Sequence, residues 1–123
     1  MIQVKRAYEA ISKSDGPRFL VERLWPRGIR KDDLHIEAWI KDVAPSTELR
    51  RWFQHDPTKW PEFRRRYFRE LERNSDAWQQ LLAKARLGRV TLVYGARDIE
   101  HNNAVALKEF LERKLSGKRT ATA

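Results

Sequence analysis

The 123-residue chain contains no cysteine. Disulfides, thiolate nucleophiles and thiolate-bound metals are therefore excluded, and the composition fits a cytoplasmic place. No apolar run approaches the roughly 18–20 residues that a membrane span needs, so no membrane partner is expected. The opening MIQVKRAYEA lacks a signal-peptide pattern, because charges interrupt it at once. Glycine is scarce, at five residues, and none falls in a P-loop or dinucleotide-binding spacing. Zinc-ligand spacing, a nucleophile–base motif, carboxylates paired for acid–base work and a recognisable nucleic-acid fold motif are missing too, so no cofactor is expected.

Negative charge is in deficit. The chain has 17 acidic against 26 basic residues, a formal charge of +9 and a pI near 10.3. Such a balance favours anionic partners, whether nucleic acid or a phosphorylated or carboxylated metabolite, although it also serves solubility alone. With 41% hydrophobic and 35% charged residues, the composition is that of a globular domain, and the length suits one domain.

Ile2, Val4 and Tyr8 mark a short first strand. Asp15-Gly16-Pro17 supplies turn chemistry. Phe19-Leu20-Val21, continuing to Leu24-Trp25, reads as a second strand that Pro26 ends. Asp32 or Asp33 then caps a helix with Ile36, Trp39, Ile40 and Val43 on one face. Ser46 caps a short helix carrying Leu49, Trp52 and Phe53. The next helix starts at Asp56-Pro57 or at Thr58, since Pro61 disturbs the first register. It buries Phe63, Tyr67 and Leu71. Ser75 opens a helix that Gly88 closes. Val90 to Tyr94 is a nearly continuous apolar run, as in a central strand covered on both faces. A last helix spans about Asn102 to Leu115, giving a domain over residues 1–115 and a basic, flexible tail over 116–123. Strands separated by helices predict an α/β fold, a small three-layer domain with a short, mainly parallel sheet and several flanking helices. The Glu9–Arg18 connection is barely long enough for a parallel crossover, so an antiparallel hairpin start is the alternative.

In a parallel sheet, ligands bind beyond the carboxyl ends of the strands. Two such ends are rich in polar groups. One offers Arg23, Trp25, Arg27 and Gly28. The other, VYGARDIEHNN, offers Tyr94, Gly95, Arg97, Asp98, His101, Asn102 and Asn103. Guanidinium forks and the free amides of a helix starting near Asn102 favour an anion. Each residue also has a plain structural use. Arg23 could pair with Glu22, Asp56 or Asp98, Trp25 could pack, and Asp98 and Asn102 could cap. His55-Asp56 offers proton transfer, with Asp98 and His101 as a second acid–imidazole pair. Alternatively Asp56 caps a helix and His55 packs on Trp52. The four do not form a specific metal spacing, and the basic surroundings oppose a cation. Arg64, Arg65, Arg66, Arg69 and Arg73, with Arg50 and Arg51 nearby, line a helix that could hold nucleic-acid phosphates. Glu62–Arg66 and Arg66–Glu70 spacing favours a solvated, ion-paired face instead.

Three blocks, RLWPRGIRKDDL, DVAPSTELRRWFQHDPTKWPEF and VTLVYGARDIEHNNAVALKEFL, resemble the signature blocks of the YeaO-like family, small bacterial proteins in the domain-of-unknown-function 488 group. The resemblance runs from the first strand to about Leu115. It implies a compact α/β domain with a parallel sheet, and so a crossover between the first two strands. It implies no established reaction or ligand. It marks Arg23, Trp25, Pro26, Arg27, Gly28, Trp52, His55, Asp56, Pro57, Asp98, His101 and Asn102 as pattern positions. Asn103 stands where members of the family commonly carry a second histidine, so a mechanism using that histidine does not transfer. The Cys-His-Arg string of more distant relatives has no counterpart in a chain without cysteine. Pro61 stands where an ordinary helix former is expected.

Three functions follow in order of support. The first is a pocket for a small anionic ligand, with Arg23, Arg27 and Arg97 on the anion and His55 or His101 for proton transfer. The second is a nucleic-acid module built on the arginine-rich helix and basic tail. The third is a structural or regulatory partner protein. No enzymatic reaction is derivable from these residues.

Overall fold

The structure, a computed structural model, describes the backbone of residues 1–121 and the side chains of residues 1–117. Its sheet is built around one strand. Val90–Tyr94 (β4) is buried at all five positions. It pairs in parallel with Ile2–Arg6 (β1) on one edge and with Arg18–Leu20 (β2) on the other. A two-residue strand, Ala38–Trp39 (β3), extends the sheet beyond β2, giving the order β1-β4-β2-β3, parallel throughout. The first connection is thus a crossover, with β4 between β1 and β2, and the hairpin start is excluded. Tyr8 lies past the strand, half exposed, its hydroxyl donating to the Arg27 carbonyl.

Among the described residues, four α-helices accompany the sheet: Thr47–Phe53 (α1), Trp60–Glu72 (α2), Ser75–Leu87 (α3) and Asn103–Ala121 (α4). Alternation along the strands sorts the core. Ile2, Phe19, Val90, Leu92 and Tyr94 join the buried residues of all four helices. Leu20 and Val93 face the other way, where Leu34, Trp25, Ile29, Ile36 and Trp39 cover them. The layer on that second face is made of irregular chain and short 3-10 turns. α4 continues past Leu115, and the end of the expected basic tail, residues 122 and 123, lies outside the described residues.

Local signals set the helix starts. Ser46 Oγ accepts from the Leu49 amide. Asp56 caps a 3-10 turn, Pro57–Lys59, taking both the amide and the hydroxyl of Thr58. Pro61 then sits in the first turn of α2, where its missing N–H interrupts no bond. Thr58 is therefore not a rival cap.

Two expected elements differ. The second strand stops at Leu20: the Val21 amide makes a last bond to the Val93 carbonyl, and the Glu22 carbonyl goes instead to the Trp39 indole at 2.6 Å. The helix expected over Asp32–Val43 is absent. In its place are a 3-10 turn at Lys31–Asp33, β3, and a second turn at Lys41–Val43. Its apparent helical spacing was fortuitous: Ile36 and Trp39 pack on one face of the sheet, whereas Ile40 and Val43 pack on the other. The Glu37 and Ile40 amides bond to the Arg18 and Leu20 carbonyls, and the β2 edge thereby gains a ladder that no local helix offers it.

The Glu9–Arg18 crossover is held by a buried charge cluster. Asp15 and Arg18, 1% and 4% exposed, bond at 2.8 Å. Asp15 also receives Lys5, Gln3 and the Ser12 amide, and its own carbonyl accepts from Thr91 of β4. Next to it, Gly16 has φ 63°, and a Cβ there would lie 2.2 Å from the Arg89 carbonyl oxygen. Burial alone would raise the Asp15 carboxyl, but the bonds from Lys5, Ser12, Arg18 and Gln3 bring it down to about 2. A carboxyl lowered on folding stabilises the protein above its unfolded value and loses that contribution as pH falls through the folded one. Asp15→Ala, which strands Arg18, is expected to cost roughly 3–5 kcal/mol in denaturant unfolding. It should also remove part of the acid-induced loss of stability between about pH 4 and pH 2.

Candidate functional site

Beyond the carboxyl ends of β2 and β4 lies a cavity of about 410 Å³. Its polar lining comes from Glu22 and Arg23 after β2, Thr47, Arg50 and Arg51 on α1, His55 after α1, and Asn102 and Asn103 at the start of α4. Phe53, Phe63, Ala44, Pro45 and Ala96 form the apolar wall. The volume and mixed lining are those of a small-molecule site.

The two sides are tied together by side chains. Asn103 Nδ2 donates to the Val21 carbonyl at 2.8 Å, fastening α4 to the end of β2. Asp98 Oδ1 accepts from the Glu100 and His101 amides. Asn102 donates to the Asp98 carbonyl and accepts from the Val105 amide at 3.0 Å, so it caps α4 while lining the cavity. Arg6 holds the Ala96 carbonyl at 2.8 Å. On the opposite side, Ser46 donates its amide and hydroxyl to Glu70 of α2. That docking fixes α1, and the one-turn spacing of Thr47, Arg50 and Arg51 places all three toward the cavity.

The electrostatics are unbalanced. Arg23 and Arg50 each bury an Nε that has no hydrogen-bond partner among the described residues. Among those residues, no carboxylate comes within salt-bridge distance of Arg23, Arg50 or Arg51. Glu22 shares the cavity without pairing with any of them. Burial pushes its carboxyl up to about 7, against the opposing pull of the Arg50 charge and the Asn103 side chain.

Of the residues singled out in the sequence, Arg23, His55, Asn102 and Asn103 line this cavity. His55 is exposed and held with φ 56°, next to Gln54 at φ 48°, left-handed backbone that non-glycine residues rarely adopt. Asp56 turns away to cap the Pro57–Lys59 turn, and the bonds from Thr58 hold its carboxyl below the usual range. Asp98 and His101 do bond, Oδ2 to Nδ1 at 2.9 Å. That pair packs against Trp60, edge-on at 5.3 Å, and does not line the cavity. The bonds from Glu100 and His101 lower the Asp98 carboxyl. Trp25 packs edge-on against Trp39 on the second face of the sheet, its indole on the Ile29 carbonyl. Arg27, Gly28 and Arg97 are exposed outside the cavity, and Tyr94 is buried at the end of β4. Burial raises its hydroxyl. Among the described residues, no group of three or more His, Asp or Glu could hold a metal ion, and no helix is long and apolar enough to cross a membrane.

Glu22, Arg50 and Arg51 are cavity residues that the sequence reading did not assemble. The signal was available for two of them. Ser46 sets the helix register, and Arg50 and Arg51 follow Thr47 at three and four residues.

Comparison with known proteins matches residues 1–123 to a family model described as the inactive DUF488-N3 subclade. The chain is 41% identical over 110 residues to the uncharacterized protein YeaO of Escherichia coli K12, covering 89% of this chain and 96% of that one. It is 44% identical over 110 residues to the uncharacterized protein Rv3073c of Mycobacterium tuberculosis H37Rv, covering 89% and 92%. No solved structure matches it significantly.

A carboxyl raised on folding adds stability below its unfolded value and loses it as pH rises through the folded one. Between pH 4.5, the ordinary value, and about 7, Glu22 therefore becomes a growing burden. Glu22→Gln should leave stability nearly unchanged at about pH 4 and raise it at about pH 8.5 by roughly 2 kcal/mol, read from denaturant midpoints at the two pH values.

Proposed function

Because the chain belongs to the YeaO-like DUF488 family, and the subclade it matches is described as inactive, we propose that it binds a small anionic ligand, phosphorylated or carboxylated, without turning it over. The observation that carries this reading is the pair of inward arginines, Arg23 and Arg50, whose buried Nε groups have no partner among the described residues. A buried donor left unbonded costs about 1–3 kcal/mol, and an oxyanion in the cavity would satisfy both. Arg51 and the first amides of α4 add donors, and the Phe53–Phe63 wall suits an apolar or ring-bearing body. Binding without catalysis also suits the scatter of the titratable groups, since Asp56, Asp98 and His101 do not line the cavity. The protein is taken to act in the cytoplasm, as the cysteine-free composition suggests.

The nucleic-acid alternative draws less support. Arg64, Arg65 and Arg66 of α2 are already bonded to Glu109 or Glu62, and Arg66 also lies over the Trp52 ring.

A thermal-shift screen of phosphorylated and carboxylated metabolites tests the proposal. A ligand at a hundredfold excess over its Kd stabilises by about 2.7 kcal/mol, a Tm rise on the order of 10 °C for a domain of this size. Arg50→Ala should keep its own cooperative transition and lose that rise. An equal rise in the variant, or no rise with any anion screened, contradicts the proposal.

A further inference from the structure

We infer that Glu22 sets the ligand preference of the cavity: it meets the anion as a neutral carboxylic acid and donates a hydrogen bond to it, so that the anion and one proton bind together. The inference rests on the anion-binding reading of the cavity and specifies which form of the site the anion selects.

The geometry leads to it. Glu22 lines the same cavity as Arg23, Arg50 and Arg51, yet forms an ion pair with none of them among the described residues. The arginines are thus left available to a ligand, and the acid remains as a second polar group beside it. An ionised Glu22 would set a like charge next to the bound anion in a cavity walled in part by Phe53 and Phe63, where charges interact more strongly than in bulk water. A neutral Glu22 removes that repulsion and contributes an O–H donor, and hydrogen bonds from such a donor to an oxyanion are short and strong.

The surrounding groups do not supply another acid for this role. Arg23 follows Glu22 in the chain. α1 brings Arg50 and Arg51, and His55 follows it. α4 brings Asn103, whose side chain bonds the Val21 carbonyl and reaches Glu22. From α2, Glu70 is taken up by Ser46, and Tyr67 donates its buried hydroxyl to the Val43 carbonyl at 2.6 Å. The Tyr67 hydroxyl is raised well above its ordinary value by burial and by the Glu22 and Glu70 charges, so it does not titrate in the same range. Burial places the Glu22 carboxyl at about 7, where a bound anion can complete its protonation at physiological pH.

Sulfate is the probe, because it stays a dianion across the neutral range and any proton taken up belongs to the protein. Its binding is followed by NMR shifts of the first α4 amides at about pH 6 and about pH 8.5. The wild-type Kd should weaken about tenfold or more at the higher pH. Glu22→Gln, which stays neutral, should bind with little change between the two, whereas His55→Asn should keep the wild-type dependence. A Glu22→Gln protein that retains the pH dependence, or a His55→Asn protein that loses it, overturns the inference. Wild-type binding that is lost in Arg50→Ala but indifferent to pH overturns it while leaving the anion-binding reading intact. Absence of saturable sulfate binding at both pH values overturns both.

Discussion

The cavity depends on β4 being bonded along both edges and buried on both faces. Five residues, Val90–Tyr94, hold β1 on one side and β2 on the other, and their side chains alternate between the helical core and the second cluster. A strand so fixed can release its chain at one place only, past Tyr94. There the Ala7 amide takes the Tyr94 carbonyl and the Arg6 guanidinium takes that of Ala96. The Asp98 turn and the Asn102 cap then redirect the chain into α4. Asn103 closes the circuit by returning to Val21 at the end of β2. Val21 is thereby held through its amide by β4 and through its carbonyl by α4, and Glu22 and Arg23 emerge from a fixed point.

On that frame the protein keeps an arrangement that folding alone does not favour. Two guanidinium groups turn inward with a buried Nε unbonded, and a half-buried carboxyl, Glu22, shares their cavity without forming an ion pair with them. Contrast the far end of the sheet, where Asp15 and Arg18 are more deeply buried yet fully engaged with each other and with Lys5, Gln3 and Ser12. Charge at one end stabilises the crossover, and charge at the other is left poised. Under the anion-binding proposal, these stability-costing polar groups are the ones a ligand would satisfy.

Much of the fold was legible because its signals are local. The apolar run Val90–Tyr94, the Ser46 cap and the Asn102 cap each specify their element without distant help. The failures came where a tertiary bond outweighed local pattern. Ile36, Trp39, Ile40 and Val43 mimic a helix face, yet the free β2 edge recruits Ala38–Trp39 as a strand. Leu24 and Trp25 look like strand, but no neighbour is left to pair with them. The site was half legible for a related reason. Arg23, His55 and Asn102 stand out beside strand and helix ends. Arg50 and Glu22 become site residues only once Ser46–Glu70 docks α1 against α2 and the Asn103 side chain meets the end of β2. Family resemblance could not separate Asp98 and His101, which organise the turn and pack on Trp60, from residues that line the cavity, since both kinds recur in a signature block.

The central claim is that the inward arginines form an anion site. Crystals grown in selenate, with anomalous scattering recorded at the selenium edge, test it most directly. The account predicts a selenate peak in the cavity within hydrogen-bond distance of Arg23 and Arg50. Ordered selenate on the outer arginines of α2, with none in the cavity, would contradict it.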